Sequence, residues 1–277
     1  MKRAFGDIAE GQVHYWHGGC SHGGEAAGAA TPLLYLHPGP GTARHQVPLA
    51  DAFAKTRRVI VPDIPGMGDS VPPPEHLGQP DLDWFADALV RFADNLGLKT
   101  FDLFGSSLGG RMCVAIALKH PDRVKHLVLN RVRVMEGENL AAMKKQHGPE
   151  VQPDQDGTYV WFVWNRMRNL YTYFPWFKYK AANMRKADLP PAELMHMSFV
   201  EHIKMCATSH KAFTAYYDYP ITEKMGQLKV KTMCRPDTVA MIPGAVAWTP
   251  VYDGDLMQGT PEQLAGLAAQ ISAFLDS

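Results

Sequence analysis

Short apolar runs bounded by turn residues alternate with helix-period segments along most of this chain. Pro32 to Leu36, Arg58 to Val61, Thr100 to Phe104 and His126 to Asn130 read as short, mostly apolar strands set between Gly, Pro and Asp signals. Leu82 to Leu96 places Phe85, Leu89, Phe92 and Leu96 along one helical face and stops at Gly97, which predicts an amphipathic helix with a glycine C-cap. A second helical stretch, Arg111 to Lys119, ends at His120-Pro121. Strand patterns resume at Lys229 to Met233 and near Val246 to Trp248. A last helix, carried by Leu264, Leu267, Ile271, Phe274 and Leu275, is announced by Thr260-Pro261-Glu262-Gln263, a capping box with proline at its first position. Strands alternating with helices predict an α/β fold with a mostly parallel central sheet.

From about Met135 to about Tyr219 the pattern changes, and aromatic residues from Trp161 to Tyr179 crowd together among helical spacings. This predicts a helical cap at 135–219 inserted into a core made of 1–134 and 220–277. Most of these aromatics are expected to pack on one another and about a third to line a pocket, with Trp161 and Trp164 as candidate substrate contacts.

At 277 residues and 46% hydrophobic content, the chain can bury a full core. A formal charge of zero gives no electrostatic argument for nucleic acid or an anionic membrane surface. No stretch is apolar enough to span a bilayer, and the polar start argues against a signal peptide, so a cytoplasmic protein is expected. The four cysteines (Cys20, Cys113, Cys206 and Cys234) lack metal-like pairing and read as reduced thiols. His14, His17, Cys20 and His22 cluster near the N-terminus, but no second ligand pair is spaced to close a metal site. The partner expected is a small-molecule substrate, with no cofactor, metal, nucleic acid or membrane, and a homodimer left open.

Chemistry enters at Gly105-Ser106-Ser107-Leu108-Gly109, between a strand and a helix. A serine on so sharp a turn needs small residues two before and two after it. Helix N-terminal amides there favour a developing negative charge. Ser107 is therefore the candidate nucleophile. Upstream stand His37-Pro38-Gly39-Pro40-Gly41 and Asp63-Ile64-Pro65-Gly66-Met67-Gly68-Asp69-Ser70. These three landmarks, in this order, resemble the α/β-hydrolase superfamily: an oxyanion loop of H-G-x-P-G type, a D-x-x-G-x-G-x-S segment and a nucleophile elbow. The resemblance covers nearly the whole chain. It implies oxyanion amides from Gly39 and Leu108, since Pro38 has no N–H to donate.

One departure matters. The resemblance implies a triad acid after the first strand beyond the cap and a histidine after the next, yet no histidine follows His210. Asp255 stands at the histidine's place, and Asp237, in an abbreviated loop, is the remaining candidate acid. An unperturbed aspartate, with pKa about 3.9, is a feeble base toward serine, so weak turnover of simple activated esters is expected. Asp255 is expected either to accept a hydrogen bond from Ser107 or, with a raised pKa, to shuttle protons; the alternative is a solvated turn made with Asp253. His37 and, in the cap, His196, His202 and His210 are substitute bases to consider, His210 being nearest the cap's return to the sheet, whereas His120 and His126 fall at the sheet's far end and read as structural.

Arg131 and Arg133 follow a strand at its carboxyl edge and share a face, and Arg111 sits in the first turns of the elbow helix. They are read either as surface ion pairs or as partners for a carboxylate-bearing substrate. Three function classes follow: serine-dependent hydrolysis of an ester or related acyl bond in a small apolar or aromatic molecule; lyase, decarboxylase, dehydration or cyclase chemistry in the same pocket; and silent ligand binding. The intact elbow argues against the last.

Overall fold

The computed structural model describes residues 1–19, 30–186 and 188–277; Cys20 and His22 of the N-terminal cluster lie outside them. The chain opens with an antiparallel hairpin, β1 (Lys2–Ile8) and β2 (Gly11–Gly18), followed by β3 (Leu33–Leu36), α1 (Val47–Phe53) and β4 (Val59–Pro62). Then come α2 (Leu82–Asn95), β5 (Phe101–Ser106), α3 (Leu108–Lys119) and β6 (Val124–Asn130). Every residue of β3, β4 and β5 is buried, as strands covered by helices on both faces must be. β1 carries no apolar run that would mark it as a strand, because Lys2, Arg3 and Asp7 are charged and only Gly6 within it is buried.

Four helices make up the inserted region after β6: α4 (Gly137–His147), α5 (Thr158–Thr172), α6 (Ala192–Lys204) and α7 (His210–Asp218). α7 seats Phe213, Tyr216 and Tyr217 in the same apolar cluster as Met112 and Ile116 of α3. The inserted region is thereby anchored to the sheet layer. The chain ends with α8 (Ile221–Met225), β7 (Lys231–Cys234), β8 (Val246–Ala247) and α9 (Pro261–Leu275), the last entered through the capping box of Thr260 and Gln263.

Among the described residues the sheet has eight strands in the order β1-β2-β4-β3-β5-β6-β7-β8. The β1-β2 and β2-β4 pairs are antiparallel and the remainder parallel. Two apolar layers sandwich it, one built around α2 and α3 and the other around α1 and α9. The carboxyl ends of β3, β5 and β6 carry Leu36, Ser106 and Asn130, and Ser107 follows β5 directly. His126 lies toward the other end of β6 and bonds Asp102 Oδ1 at 2.9 Å, while Arg57, fully buried, reaches Asp102 Oδ2 at 3.2 Å. His120 pairs with Asp87. Both histidines serve structure away from Ser107.

Candidate active site

The elbow is assembled by close backbone approach. Ser107 has φ 50° and ψ −112°, a region that side chains other than glycine rarely enter. It is held there from both sides: its N–H donates to Asn130 O at 3.0 Å, and its carbonyl accepts from Arg111 N at 3.1 Å. A methyl group on Gly105 would lie 2.6 Å from Gly109 O, and one on Gly109 would lie 2.4 Å from Leu36 O. Strand, turn and helix touch at distances only glycine permits. Neither the Gly39 nor the Leu108 amide donates to any described residue. Leu108 begins α3, where unpaired N–H groups carry the positive end of the helix dipole.

The loops beside the elbow are pinned through Asp63. Its carboxylate accepts from His14 Nδ1 at 2.7 Å, Ala43 N at 2.7 Å and Asp69 N at 3.1 Å. Burial alone would raise its pKa, but the His14 bond, the neighbouring His37 and His14 rings and the Ala43 amide hold it below the usual carboxylate value. Gly68, at φ +56°, lies so close to Asp63 that a methyl group would sit 2.1 Å from Oδ2. The glycine spacing of this segment therefore wraps backbone around a buried carboxylate.

A cavity of about 610 Å³ opens beside the elbow. Gly39, Ser107, Leu108 and Asn130 line it from the sheet edge, and Tyr171, Phe174 and Trp176 line it from the inserted region. Ser107, Gly39, Leu108, Arg131, Arg133 and Asp255 are thus brought to one chamber. Other expected residues are placed elsewhere. His37 spends both ring nitrogens on backbone: Nε2 accepts Ile64 N–H at 3.0 Å and Nδ1 donates to Pro38 O at 2.9 Å. It shapes the loop and has no lone pair left to act as a base. His210 is outside the cavity lining, with Nδ1 bonded to Ala207 O. Asp237 is exposed and also outside it, because the abbreviated loop after β7 turns away. Trp161 is 69% exposed, and Trp164 packs on Phe199 with ring centroids 5.5 Å apart, so neither reaches the chamber.

Asp255 lines the cavity, but the expected bond to Ser107 is absent among the described residues. Its Oδ1 accepts from Met257 N at 2.9 Å and its Oδ2 from Gln258 Nε2 at 3.3 Å, which is the work of a turn before α9. Asp253 is held by Arg235, 3.0 Å from Oδ2, and by Arg131, 2.7 Å from Oδ1. Arg131 is accordingly a loop tie, at the strained φ of 50°. Arg111 is neither a surface ion pair nor a substrate partner: it is 2% exposed and donates to the carbonyls of Tyr216, Tyr219 and Arg133. Arg133 and Arg185 at the cavity stack on Phe174, 4.2 and 5.5 Å from its ring centroid, and neither has a carboxylate partner among the described residues.

Of the cap histidines weighed from the sequence, His202 lines the chamber while His196 is exposed and outside it, and two histidines that the sequence did not single out, His45 and His147, line it too. Burial, reinforced by Arg166, pushes His147 down to about 3, and it accepts the Trp176 Nε1 proton. Burial, His45 and Arg166 push His202 down to about 3 as well. Both are neutral near pH 7. His45 follows the oxyanion motif by four residues, with Thr42 at the N-cap of its short helical turn; nothing in that spacing marks it as chemical. Of the described residues, His14, Asp63 and Asp69 come near enough together to ligate a metal. Their atoms are already committed, since Arg3 bonds His14 Nε2 and Asp69, and Lys204 bonds Asp69. Cys113, Cys206 and Cys234 are buried free thiols. No described helix is long and apolar enough to cross a membrane.

Comparison with known proteins agrees with this architecture. The α/β-hydrolase fold family matches residues 31–167. Over 107 residues the chain is 39% identical to 2-hydroxymuconate semialdehyde hydrolase of Pseudomonas sp. (strain CF600), which is 37% of each chain. It is 34% identical over 113 residues to proline iminopeptidase of Clostridium botulinum, 39% of this chain and 37% of that one. The matched region thus spans little over a third of these relatives' length. A thermophilic esterase from Thermogutta terrifontis superposes over 100% of this chain and 98% of its own with TM-score 0.68 at 18% identity, a likeness of fold. The order of sheet, elbow and loops, the family match and these neighbours together show that the chain has the α/β-hydrolase fold.

Proposed function

We propose that this protein is a hydrolase that uses Ser107 to cleave an ester or related acyl bond in a small, largely apolar molecule bearing a carboxylate. The observation that carries this reading is Ser107 itself, strained on its turn beside two unengaged amides at the edge of a 610 Å³ cavity. In the proposed reaction Ser107 Oγ attacks the carbonyl carbon, and Gly39 N–H and Leu108 N–H receive the oxyanion. The proton released from Ser107 ends on the leaving group, and water then gives its hydroxyl to the acyl carbon and its remaining proton back to Ser107 Oγ. Arg133 and Arg185 supply unneutralised positive charge for the substrate carboxylate, and the apolar walls and aromatics take the rest of the molecule. A relative named for 2-hydroxymuconate semialdehyde, itself a carboxylate, supports that choice. The inserted helices act as a cap.

Fluorophosphonate labelling followed by intact-mass and peptide spectrometry tests the nucleophile. We expect a single slow adduct on Ser107 that is lost in Ser107→Ala; an adduct that persists in this variant, or none at all after hours, would sink the reading. A second reading draws on the lack of any hydrogen bond to Ser107 Oγ from the described residues. The same amides would then stabilise an enolate in lyase or cyclase chemistry without a covalent intermediate. Failure to label, together with turnover that survives Ser107→Ala, favours it.

A further inference from the structure

A continuous file of hydrogen bonds runs from the main cavity, between the inserted helices, to a second and smaller opening. Tyr171 lines the cavity from α5, and its hydroxyl meets Ser198 Oγ of α6 at 3.0 Å. Ser198 Oγ lies 3.3 Å from His45 Nε2. On the other side of the ring, His45 Nδ1 faces Thr42 twice, its N–H at 3.3 Å and its Oγ1 at 3.4 Å. Thr42 Oγ1 donates to Glu201 Oε2 at 2.9 Å. Glu201, 3% exposed, lines an opening of about 130 Å³ with Arg3, His14 and Arg44.

Carboxylate, imidazole, hydroxyl is the order in which a histidine activates a hydroxyl. Here one further hydroxyl is intercalated on each side of the ring. We propose that Tyr171 is the acid–base residue of this cavity and that Ser198, His45, Thr42 and Glu201 form the relay that loads and unloads its proton. The inference rests on reading the cavity as the active site, and it supplies the base that the missing histidine leaves wanting.

The proton balance closes. As a base, the Tyr171 oxygen takes the proton of the attacking hydroxyl while its own moves to Ser198 Oγ and the Ser198 proton moves to His45 Nε2. One O–H bond breaks at the nucleophile and one N–H bond forms on the ring. The resulting imidazolium points Nδ1–H at Thr42 Oγ1 and, one hydroxyl further, at the Glu201 carboxylate. The reverse sequence returns the proton to the leaving group. The neutral ring ready to act as base carries its proton on Nδ1, against Thr42 Oγ1, and leaves Nε2 bare for Ser198. In the other tautomer Nδ1 accepts the Thr42 amide, so Thr42 accommodates both. Ser198 is fully buried and cannot meet a substrate, and His45, although its ring borders the cavity, turns Nε2 to Ser198 and Nδ1 to Thr42, so Tyr171 is the cavity end of the file.

Neighbouring charges single out His45. Burial lowers its pKa; Glu201 on α6 and Asp255 before α9 oppose that, and His37 after β3 adds to it. His202, edge-on with its centroid 6.0 Å from that of His45, stays neutral. Arg44 and Lys204 contact Glu201 from the outside at 3.4 and 3.3 Å. Of the cavity histidines His45 has a carboxylate behind it through one hydroxyl, whereas His147 and His202 sit near Arg166.

The test is the second-order rate of fluorophosphonate labelling at Ser107 from about pH 5 to about pH 9 in wild type, Tyr171→Phe, His45→Gln and Glu201→Gln, since loss of acid–base help costs about 10²-fold or more. Tyr171→Phe and His45→Gln should each slow labelling by that amount. Glu201→Gln should move the acid limb to lower pH and depress the plateau, because an imidazolium without its carboxylate forms less readily. Labelling of Ser107 that stays within about threefold of wild type in both Tyr171→Phe and His45→Gln overturns the relay and leaves the nucleophile standing. If wild type does not label, the hydrolase reading fails, and the relay is judged by nitrogen-detected titration of the imidazoles. We then expect the His45 pKa to fall in Glu201→Gln and the His45 Nε2 shift to move in Ser198→Ala. A His45 titration identical to wild type in both variants overturns it.

Discussion

An alanine at Gly109 would set its methyl group 2.4 Å from Leu36 O and 2.6 Å from His37 O, where real contacts essentially never fall below 3.0 Å. Both atoms are backbone, so no rotamer change relieves the overlap. α3 must recede from the end of β3 by about 0.6 Å, the gap between the observed and permitted distances. Overpacking of this kind costs about 1–3 kcal/mol, toward the upper end where only backbone can move, and the better helix propensity of alanine returns about 1 kcal/mol, which leaves a net loss of up to about 2 kcal/mol. The same recession carries Leu108 N–H away from Gly39, and misplacement by about 1 Å costs about 10²-fold in rate, so about 10-fold or more is expected here. Gly266 is the control. It sits inside α9, exposed, and a methyl group there meets only Val251 Cγ2 at an ordinary 3.6 Å. Gly266→Ala should stabilise by about 0.5–1 kcal/mol with labelling unchanged. Urea unfolding and labelling rates, measured on both variants, check the pair. A Gly109→Ala protein as stable and as reactive as wild type would refute the argument that backbone contact builds the elbow.

Acid should weaken the fold through its buried histidines. His147 and His202 have folded pKa values lowered to about 3, so from about pH 6.5 downward the unfolded chain binds protons that the folded chain refuses, and stability falls by up to about 1.4 kcal/mol per pH unit for each. His202→Gln should flatten the fall of the urea midpoint between about pH 6.5 and about pH 5; an unchanged slope counts against it. Asp102→Ala strands the fully buried Arg57, whose other carboxylate partner is the half-exposed Asp276, and should cost about 3–5 kcal/mol in chemical denaturation. Arg133→Ala and Arg185→Ala should raise KM for a p-nitrophenyl glutarate monoester by about tenfold each while leaving p-nitrophenyl butyrate unaffected, since only the former offers a carboxylate; equal effects on both esters would remove the carboxylate from the proposal.

Local signals carried much of the architecture. Apolar runs marked β3, β4 and β5 because strands buried on both faces leave no polar alternation. Gly105 and Gly68 were legible because the contacts requiring them come from residues nearby in sequence, whereas Gly109, pressed against Leu36 O and His37 O of a distant strand end, was legible through its place in the motif alone. The capping box announced α9 for the same reason. The absence of any histidine after His210 is likewise a fact of sequence alone. Tertiary structure decided what long-range contact decides. Arg131 looks in sequence like a ligand for a carboxylate, and it is claimed by Asp253, 122 residues away. Arg111 is claimed by carbonyls more than 100 residues on. His37 and His45 are indistinguishable as side chains eight positions apart, yet backbone engages both nitrogens of one, whereas the other is set between hydroxyls that lead to Tyr171 and Glu201. Local chain geometry is written in local sequence; which lone pair stays free depends on distant segments folding against it.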